Sequence, residues 1–311
     1  MELIIMLANQ IVGMVMMVFA GFIVAKLGIV TAEDNRALSR ICIYVAVPCA
    51  LVDGFQTDFD VEKLVGMAIV AAAAAVIFAV FLVLGKMMEI KGFTPGERAS
   101  AIYGNSGNLI MPLVQNTLGS GYLIYTCAFQ LVQNALVWTH ATNLMSGEKT
   151  FSLRKGLLNS NMISIYIGLT MFLLHIRLPD ALAGGVHTMG TMVGPLAMLV
   201  VGIILAGMDL KSALRSLRVY RIVALRLLVF PCVALLLLLP VAVFWKGSDT
   251  VNVLTVALLC ASGPAASLVP QFAQLYDRPE KEHVSFINAV STILCALTIP
   301  SICGIFRFFT L

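Results

Sequence analysis

Apolar residues occur along this chain in runs that are long enough to cross a lipid bilayer, and short polar segments separate them. A transmembrane helix needs about 20 predominantly apolar residues. The pattern therefore predicts ten membrane-spanning helices, which we call spans one to ten in chain order. Their predicted ranges are 3–26, 38–55, 62–88, 97–117, 121–145, 158–176, 186–207, 219–245, 250–275 and 283–308. Because the connections are short, we expect an all-α polytopic membrane protein built as one helical bundle.

Two of the predicted spans are interrupted at matching places. Span four reads YGNSGN over residues 103–108, and span nine reads SGP over residues 262–264. Asn105 and Gly263 each lie seven positions before a proline. Free backbone groups in hydrocarbon cost several kcal/mol each, so such breaks persist only where protein or a wet cavity covers them. We therefore expect helices four and nine to be broken and to cross at a common site.

The chain also divides into two halves of five predicted spans each. Residues 1–147 form the first half and residues 157–311 the second, and we expect the loop 148–156 between them to be cytoplasmic. Pro48 lies 19 residues after Ile29, and Pro195 lies 19 residues after Ile176. Because five is an odd number, the second half must enter the membrane in the opposite orientation. The sequence thus predicts two inverted five-helix repeats.

The composition and the distribution of charge support a membrane protein. Hydrophobic residues make up 60% of the chain, and charged residues only 12%, about half their share in a soluble domain. With both termini outside, 16 of the 20 lysines and arginines fall on the cytoplasmic side, as the positive-inside rule requires. Arg226 is counted with these cytoplasmic charges, so we expect no lysine or arginine deep within a span. We expect a multi-pass protein of the cell membrane.

Polar residues at the two breaks are the candidates for binding a substrate. A helix that restarts inside the membrane presents backbone N–H groups and a positive dipole end, which suit an anion. Asparagine amides can also donate to a carboxylate. Gln130 and Asn134 share one face of span five, where they either line the same cavity or bond to a neighbouring helix. The predicted substrate-binding residues are Asn105, Ser106, Gly107, Asn108, Pro112, Gly263, Pro264, Ser267, Gln130 and Asn134.

No sequence motif indicates an enzyme. The chain contains no His-Glu-x-x-His, no Gly-x-Ser-x-Gly, no P-loop and no dinucleotide-binding glycine pattern. We therefore expect no catalytic residues, no metal and no cofactor. The basic residues lie in short loops between apolar segments, so nucleic-acid binding is not expected either. The expected partners are a small organic anion and the lipid bilayer.

The chain resembles the auxin efflux carrier family, including its bacterial members that are described as malonate or dicarboxylate permeases. The resemblance rests on YGNSGN and MPL in span four, VAVP in span two, Gln133-Asn134 in span five, and the segment from Pro264 to Tyr276 in span nine. It implies ten spans in two inverted repeats, termini outside, and Asn105 or Asn108 near a substrate carboxylate. It also implies a scaffold of spans one, two, six and seven, through which a homodimer would form.

These observations together predict a secondary transporter of a small organic anion that works by alternating access. The anion would be a mono- or dicarboxylate, auxin-like or malonate-like. Two alternatives stay open at this point. One is a sodium-coupled symporter of the bile-acid type, and the other is a membrane sensor or enzyme that transports nothing.

Overall fold

The computed structural model describes residues 2–147, 157–208, 216–245, 247 and 249–310. Within these ranges the chain forms helices and turns without a β-strand, which confirms the all-α prediction. The predicted connecting loop 148–156 lies outside the described residues. The α-helices are α1 Glu2–Lys26, α2 Ala32–Ile41, α3 Val47–Asp53, α4 Val61–Ile90, α5 Pro95–Ile102, α6 Met111–Thr117, α7 Leu123–Leu136, α8 Thr142–Ser146, α9 Ser160–Leu173, α10 Asp180–Thr191, α11 Val193–Ala206, α12 Leu217–Ala224, α13 Phe230–Phe244, α14 Thr250–Ser262, α15 Leu268–Leu275 and α16 Lys281–Thr310.

Six helical segments of the described chain are long and apolar enough to cross a membrane. They are Ile5–Lys26, Asp34–Asp53, Val61–Ile90, Asp180–Ala206, Leu217–Phe244 and Lys281–Thr310. Two shorter apolar helices, α9 and α14, fall within predicted spans six and nine. Predicted spans four and nine are each divided between two short helices, because the breaks interrupt them. The count of ten spans therefore stays a prediction.

Wide π-helical turns interrupt the helical segments at four places in the described chain. These turns are Cys42–Ala46, Ser106–Ile110, Val137–Ala141 and Leu225–Val229. Pro48, Pro112 and Pro231 each follow one of them by two residues. A proline ring clashes with the carbonyl four residues earlier, and that carbonyl lies within the turn each time. The wider turn gives the ring room, so the sequence itself accounts for three of the four turns.

The helices pack in two groups. In the first group α1 lies along α11, and α3 packs against α9 and α10. Gly21 faces the carbonyl of Leu199, and Gly202 faces that of Val18, so that a methyl group at either position would overlap the facing backbone. Small residues of this kind let two membrane helices approach closely. In the second group α4 packs against α7 and α14, and α16 packs against α13, α14 and α15.

A buried carboxylate fixes the first half of span four. Glu97 lies in the first turn of α5, fully buried, and its carboxylate accepts a bond from the backbone N–H of Thr94. Arg218 donates to both carboxylate oxygens, and His283 Nε2 lies 3.0 Å from one of them. These contacts attach α5 to the beginnings of α12 and α16. No sequence pattern indicates this cluster, since Glu97, Arg218 and His283 lie far apart in the chain.

Candidate functional site

The two helix breaks contact each other directly. Between α5 and the turn that follows, the backbone is extended at Tyr103, and Gly104 forms an antiparallel bridge with Ala265. The N–H of Asn105 donates to the carbonyl of Pro264 at 2.8 Å, and the N–H of Ala266 donates to that of Tyr103 at 2.9 Å. Each break thus supplies the partners that the other lacks, which removes most of the cost of unwinding inside the membrane.

Side chains from the following helices complete the backbone hydrogen bonds of this bridge. Gln133 Nε2, on α7, donates to the carbonyl of Gly104 at 2.7 Å. Asn288 Nδ2, on α16, donates to the carbonyl of Ala265 at 2.6 Å, and Ser291 Oγ accepts from the N–H of Ala265 at 3.1 Å. At each break, a side-chain amide from a later helix therefore donates a hydrogen bond to a backbone carbonyl of the break.

Arg226 lies against both breaks, contrary to the prediction that no basic residue lies deep within a span. Its side chain is 1% exposed and donates to four backbone carbonyls. Nη1 donates to the carbonyls of Ala101 and Ile102, each at 3.2 Å. Nη2 donates to the carbonyl of Ala261 at 2.8 Å, and Nε donates to the carbonyl of Gly263 at 2.7 Å. The prediction was wrong because Arg226 follows three other arginines in the sequence and was grouped with the cytoplasmic loop before span eight.

The restart of the helix after the first break uses both predicted asparagines. Asn105 Oδ1 caps the turn by accepting from the N–H of Asn108 at 3.2 Å. Asn108 Nδ2 donates to Ser267 Oγ, in the second break, at 3.0 Å. The two side chains therefore hold the restarted helix and join it to the other half of the protein.

A cavity of about 220 Å³ adjoins the bridge. Its walls come from both groups of helices and from both breaks, and none of the described residues that line it is charged or a histidine. The lining residues are Ile43, Tyr44, Val47, Gly104, Asn105, Gly107, Asn108, Gln130, Gln133, Asn134, Val137, Trp138, Asn159, Ser160, Asn161, Ala266, Ser267 and Leu268.

Six of the ten predicted site residues line this cavity: Asn105, Gly107, Asn108, Gln130, Asn134 and Ser267. The other four lie outside its lining. The carbonyl of Gly263 accepts a hydrogen bond from Arg226, and the carbonyl of Pro264 accepts one from the N–H of Asn105. Ser106 is buried in the restarting turn. Pro112 packs against α11, where a methyl group on Gly194 would come within 3.1 Å of its ring.

Several lining residues were not among the predicted ones. Trp138 lies within predicted span five, two turns after Gln130 on the same face, and it also lines the cavity. Asn159, Ser160 and Asn161 form a polar group at the start of predicted span six, which was the one sequence signal that could have pointed to them. Tyr44, one turn before Pro48, also lines the cavity.

Three buried N–H donors at this cavity have no hydrogen-bond partner among the described residues. They are Gln130 Nε2, Asn134 Nδ2 and Trp138 Nε1. The spacing of four residues places them in a row along one face of α7 and the turn after it. A buried donor without a partner costs about 1–3 kcal/mol, so this wall of the cavity favours an occupant that carries hydrogen-bond acceptors.

Within the described residues, no group of three or more histidine, cysteine, aspartate or glutamate side chains is arranged to hold a metal ion. The cavity lining offers hydrogen bonding by neutral groups next to helix ends: besides the three donors, the acceptors Gln133 Oε1 and Asn161 Oδ1 are buried without a partner among the described residues.

Residues 6–303 match the family model that is described as "Membrane transport protein". The match extends over nearly the whole chain, both breaks and the cavity lining included. No curated protein matches the chain.

Proposed function

The chain belongs to the membrane transport protein family that includes the auxin efflux carriers, and we propose that it carries a small organic anion by alternating access. The observation that carries this proposal is the row of unpaired donors formed by Gln130, Asn134 and Trp138, in a cavity whose described lining has no charged side chain. A carboxylate offers several acceptor positions, and its bonds to neutral donors are stronger than those of an uncharged acceptor.

The helix ends at the cavity add to the preference for negative charge. Gly107 and Asn108 lie in the turn that restarts span four, and Ser267 and Leu268 lie where α15 begins. The beginning of a helix carries roughly half a positive charge. Two such ends at one cavity favour an anion even without a lysine or arginine in its lining.

The size and the lining of the cavity favour a compact substrate. Pockets for drug-sized ligands measure about 300–1,000 Å³, and this cavity is smaller. Tyr44, Val47 and Val137 form an apolar wall beside the amides. We therefore propose a small mono- or dicarboxylate whose apolar part lies against this wall.

The proposed transport movement is that of one helix group against the other. The cavity takes Tyr44 and Asn161 from the first group and Asn105, Gln130 and Ser267 from the second. Shifting one group against the other would open such a cavity to alternate sides of the membrane. In this proposal ten spans form two inverted repeats, 1–147 and 157–311, both termini lie outside, and the first group is the scaffold through which two copies pair in the cell membrane.

Uptake of labelled carboxylates into proteoliposomes tests the proposed function. The purified full-length chain should take up at least one member of a panel of mono- and dicarboxylates with saturable kinetics. The uncharged amide of that substrate should not compete. If no member of the panel enters the vesicles while the protein converts one chemically, the protein is an enzyme and the proposal fails.

A further inference from the structure

Arg226 is the fully buried cation at the meeting point of the two breaks, and the cavity lining does not include it. Its four carbonyl partners belong to the last residues of α5, at Ala101 and Ile102, and to the end of α14, at Ala261 and Gly263. One guanidinium therefore joins the C-terminal ends of both first half-helices.

We propose that Arg226 is a positioning residue that serves as the resident cation of both breaks, and that its charge takes the place of a coupling cation. This inference rests on the proposed anion transport. It adds that Arg226 holds the backbone of the two breaks and offsets the negative ends of the helices that lead into them. Arg226 acts through the backbone of the breaks rather than by touching the substrate.

The charges at the breaks balance with this arginine in place. Each helix C-terminus carries roughly half a negative charge, so the ends of α5 and α14 together carry about one. The single positive charge of Arg226 offsets them. The restarting helix ends at the cavity keep their positive potential, which would otherwise be opposed by the two C-termini nearby. Arg226 thus raises the affinity of the cavity for an anion without lining it.

The fit of the guanidinium depends on residues around it. Gly104 has no side chain, and a methyl group there would overlap the guanidinium. Arg226 itself lies in the π-helical turn Leu225–Val229, whose extra width directs its side chain toward the breaks. The planar fork of arginine can reach carbonyls of two helices at once, whereas the ammonium group of a lysine is a compact point charge.

The same contacts leave few oxygen ligands for a coupling ion. In transporters with broken helices, carbonyls at half-helix C-terminal ends commonly coordinate Na⁺. Here Arg226 holds four of those carbonyls, while Gln133 and Asn288 hold those of Gly104 and Ala265. Each of these carbonyl oxygens keeps a second lone pair, but a sodium ion that used it would lie next to the fixed positive charge of Arg226, which opposes its binding. We therefore expect anion uptake that does not depend on sodium.

Two measurements on the full-length protein test this inference. In the first, proteoliposomes take up the substrate in sodium, potassium or choline buffer at equal ionic strength. We expect equal initial rates within about twofold. Uptake that requires sodium would overturn the inference while leaving anion transport standing. A failure to transport any anion in all three buffers would instead count against the proposed function.

The second measurement compares carboxylate affinity and thermal stability in Arg226→Met, Arg226→Lys and the control Arg221→Met. Arg221 lies on the same helical segment but is exposed. We expect Arg226→Met to weaken carboxylate binding at least tenfold, Arg226→Lys to restore part of the loss because it keeps the charge, and Arg221→Met to bind like the natural protein.

A purely structural role would give a different result. If Arg226 only stabilised the fold, both Arg226 variants would have a lower melting temperature. Their carboxylate affinities would then not fall in the order natural protein, Arg226→Lys, Arg226→Met. If Arg226→Met folds and binds the carboxylate as tightly as the natural protein does, the inference is overturned. If Arg226→Met does not fold, the decision rests on Arg226→Lys, whose affinity must lie below that of the natural protein, and on the sodium measurement.

Discussion

Trp138 and Trp245 are the two tryptophans of the chain, and they lie in different places. Trp138 lines the cavity at the bridge, and its ring packs against Phe272 at a centroid distance of 5.5 Å while Nε1 has no partner among the described residues. Trp245 lies at the end of α13 and lines a separate pocket with Tyr125. The pair allows the indole N–H to be tested apart from the aromatic ring.

We predict that Trp138→Phe weakens substrate binding while leaving the protein folded. Phenylalanine keeps the ring contact with Phe272 but removes the N–H donor. A hydrogen bond to a charged group contributes about 1.5–3 kcal/mol, so the KM for uptake should rise by about tenfold or more. Trp245→Phe is the matched control and should leave KM unchanged. Equal KM values in both variants would remove Trp138 from the site.

Gly104→Ala should disturb the breaks through Arg226. The added methyl group would overlap the guanidinium, which four carbonyls hold in place and which therefore cannot move aside easily. We expect a loss of about 1–3 kcal/mol in the free energy of unfolding, the usual range for an overfilled core. Thermal unfolding in detergent measures it, with Gly13→Ala as control, because nothing lies near a methyl group at Gly13. An unchanged melting temperature in Gly104→Ala would contradict the geometry described for Arg226.

At the scale of elements, the site is made by interruptions of helices. Each of the four π-helical turns contributes to it: Tyr44, Asn108 and Trp138 line the cavity, and Arg226 holds the breaks. An extra residue in a helix redirects the side chains around it, and such turns are frequent at functional sites. The turns and the bridge therefore place polar groups where regular helices would present apolar faces to one another.

Sequence reasoning could locate the breaks and predict that they meet, but it could not identify the side chains that hold them together. Glycine, asparagine and proline in an apolar segment predict an interruption locally, and the interruptions at Gly104 and Gly263 follow from that rule. Which side chains reach the interruptions depends on how distant helices pack. Arg226, Gln133 and Asn288 come from three other spans, so no local pattern could assign their carbonyl partners. Pro112 belongs to the motif as well, but it packs against α11 outside the cavity lining, which the motif alone does not indicate.

The contact between the two breaks predicts an energetic coupling of Asn108 and Ser267. Their side chains share one hydrogen bond across the breaks. We expect Asn108→Ala and Ser267→Ala to be non-additive in unfolding free energy, with a coupling of about 0.5–1.5 kcal/mol. Asn108→Ala combined with Ser301→Ala should be additive, because Ser301 is exposed on α16 and bonds within its own helix. Additive effects in both pairs would mean that the two breaks are not joined as described.

For the whole molecule, the proposed function requires that the broken segments pass through the membrane. Ser120 and Lys91 are exposed residues on either side of predicted span four. In a background without native cysteines, we predict that Ser120→Cys reacts with an impermeant thiol reagent from outside and Lys91→Cys only from the cytoplasmic side. If both cysteine variants reacted from the same side, predicted span four would not cross the membrane. That result would contradict the prediction of ten spans in two inverted repeats.

The most direct test of the account is the equilibrium binding of a transported carboxylate to the double variant Gln130→Leu/Asn134→Leu. Both substitutions keep the approximate volume and remove two of the unpaired donors. We predict that Kd rises by about 100-fold or more relative to the natural protein, because each lost bond to a charged group contributes about 1.5–3 kcal/mol. Gln115→Leu, on α6 and outside the cavity lining, should bind normally. If the double variant had the same Kd as the natural protein, the claim that these amides bind the anion would be contradicted.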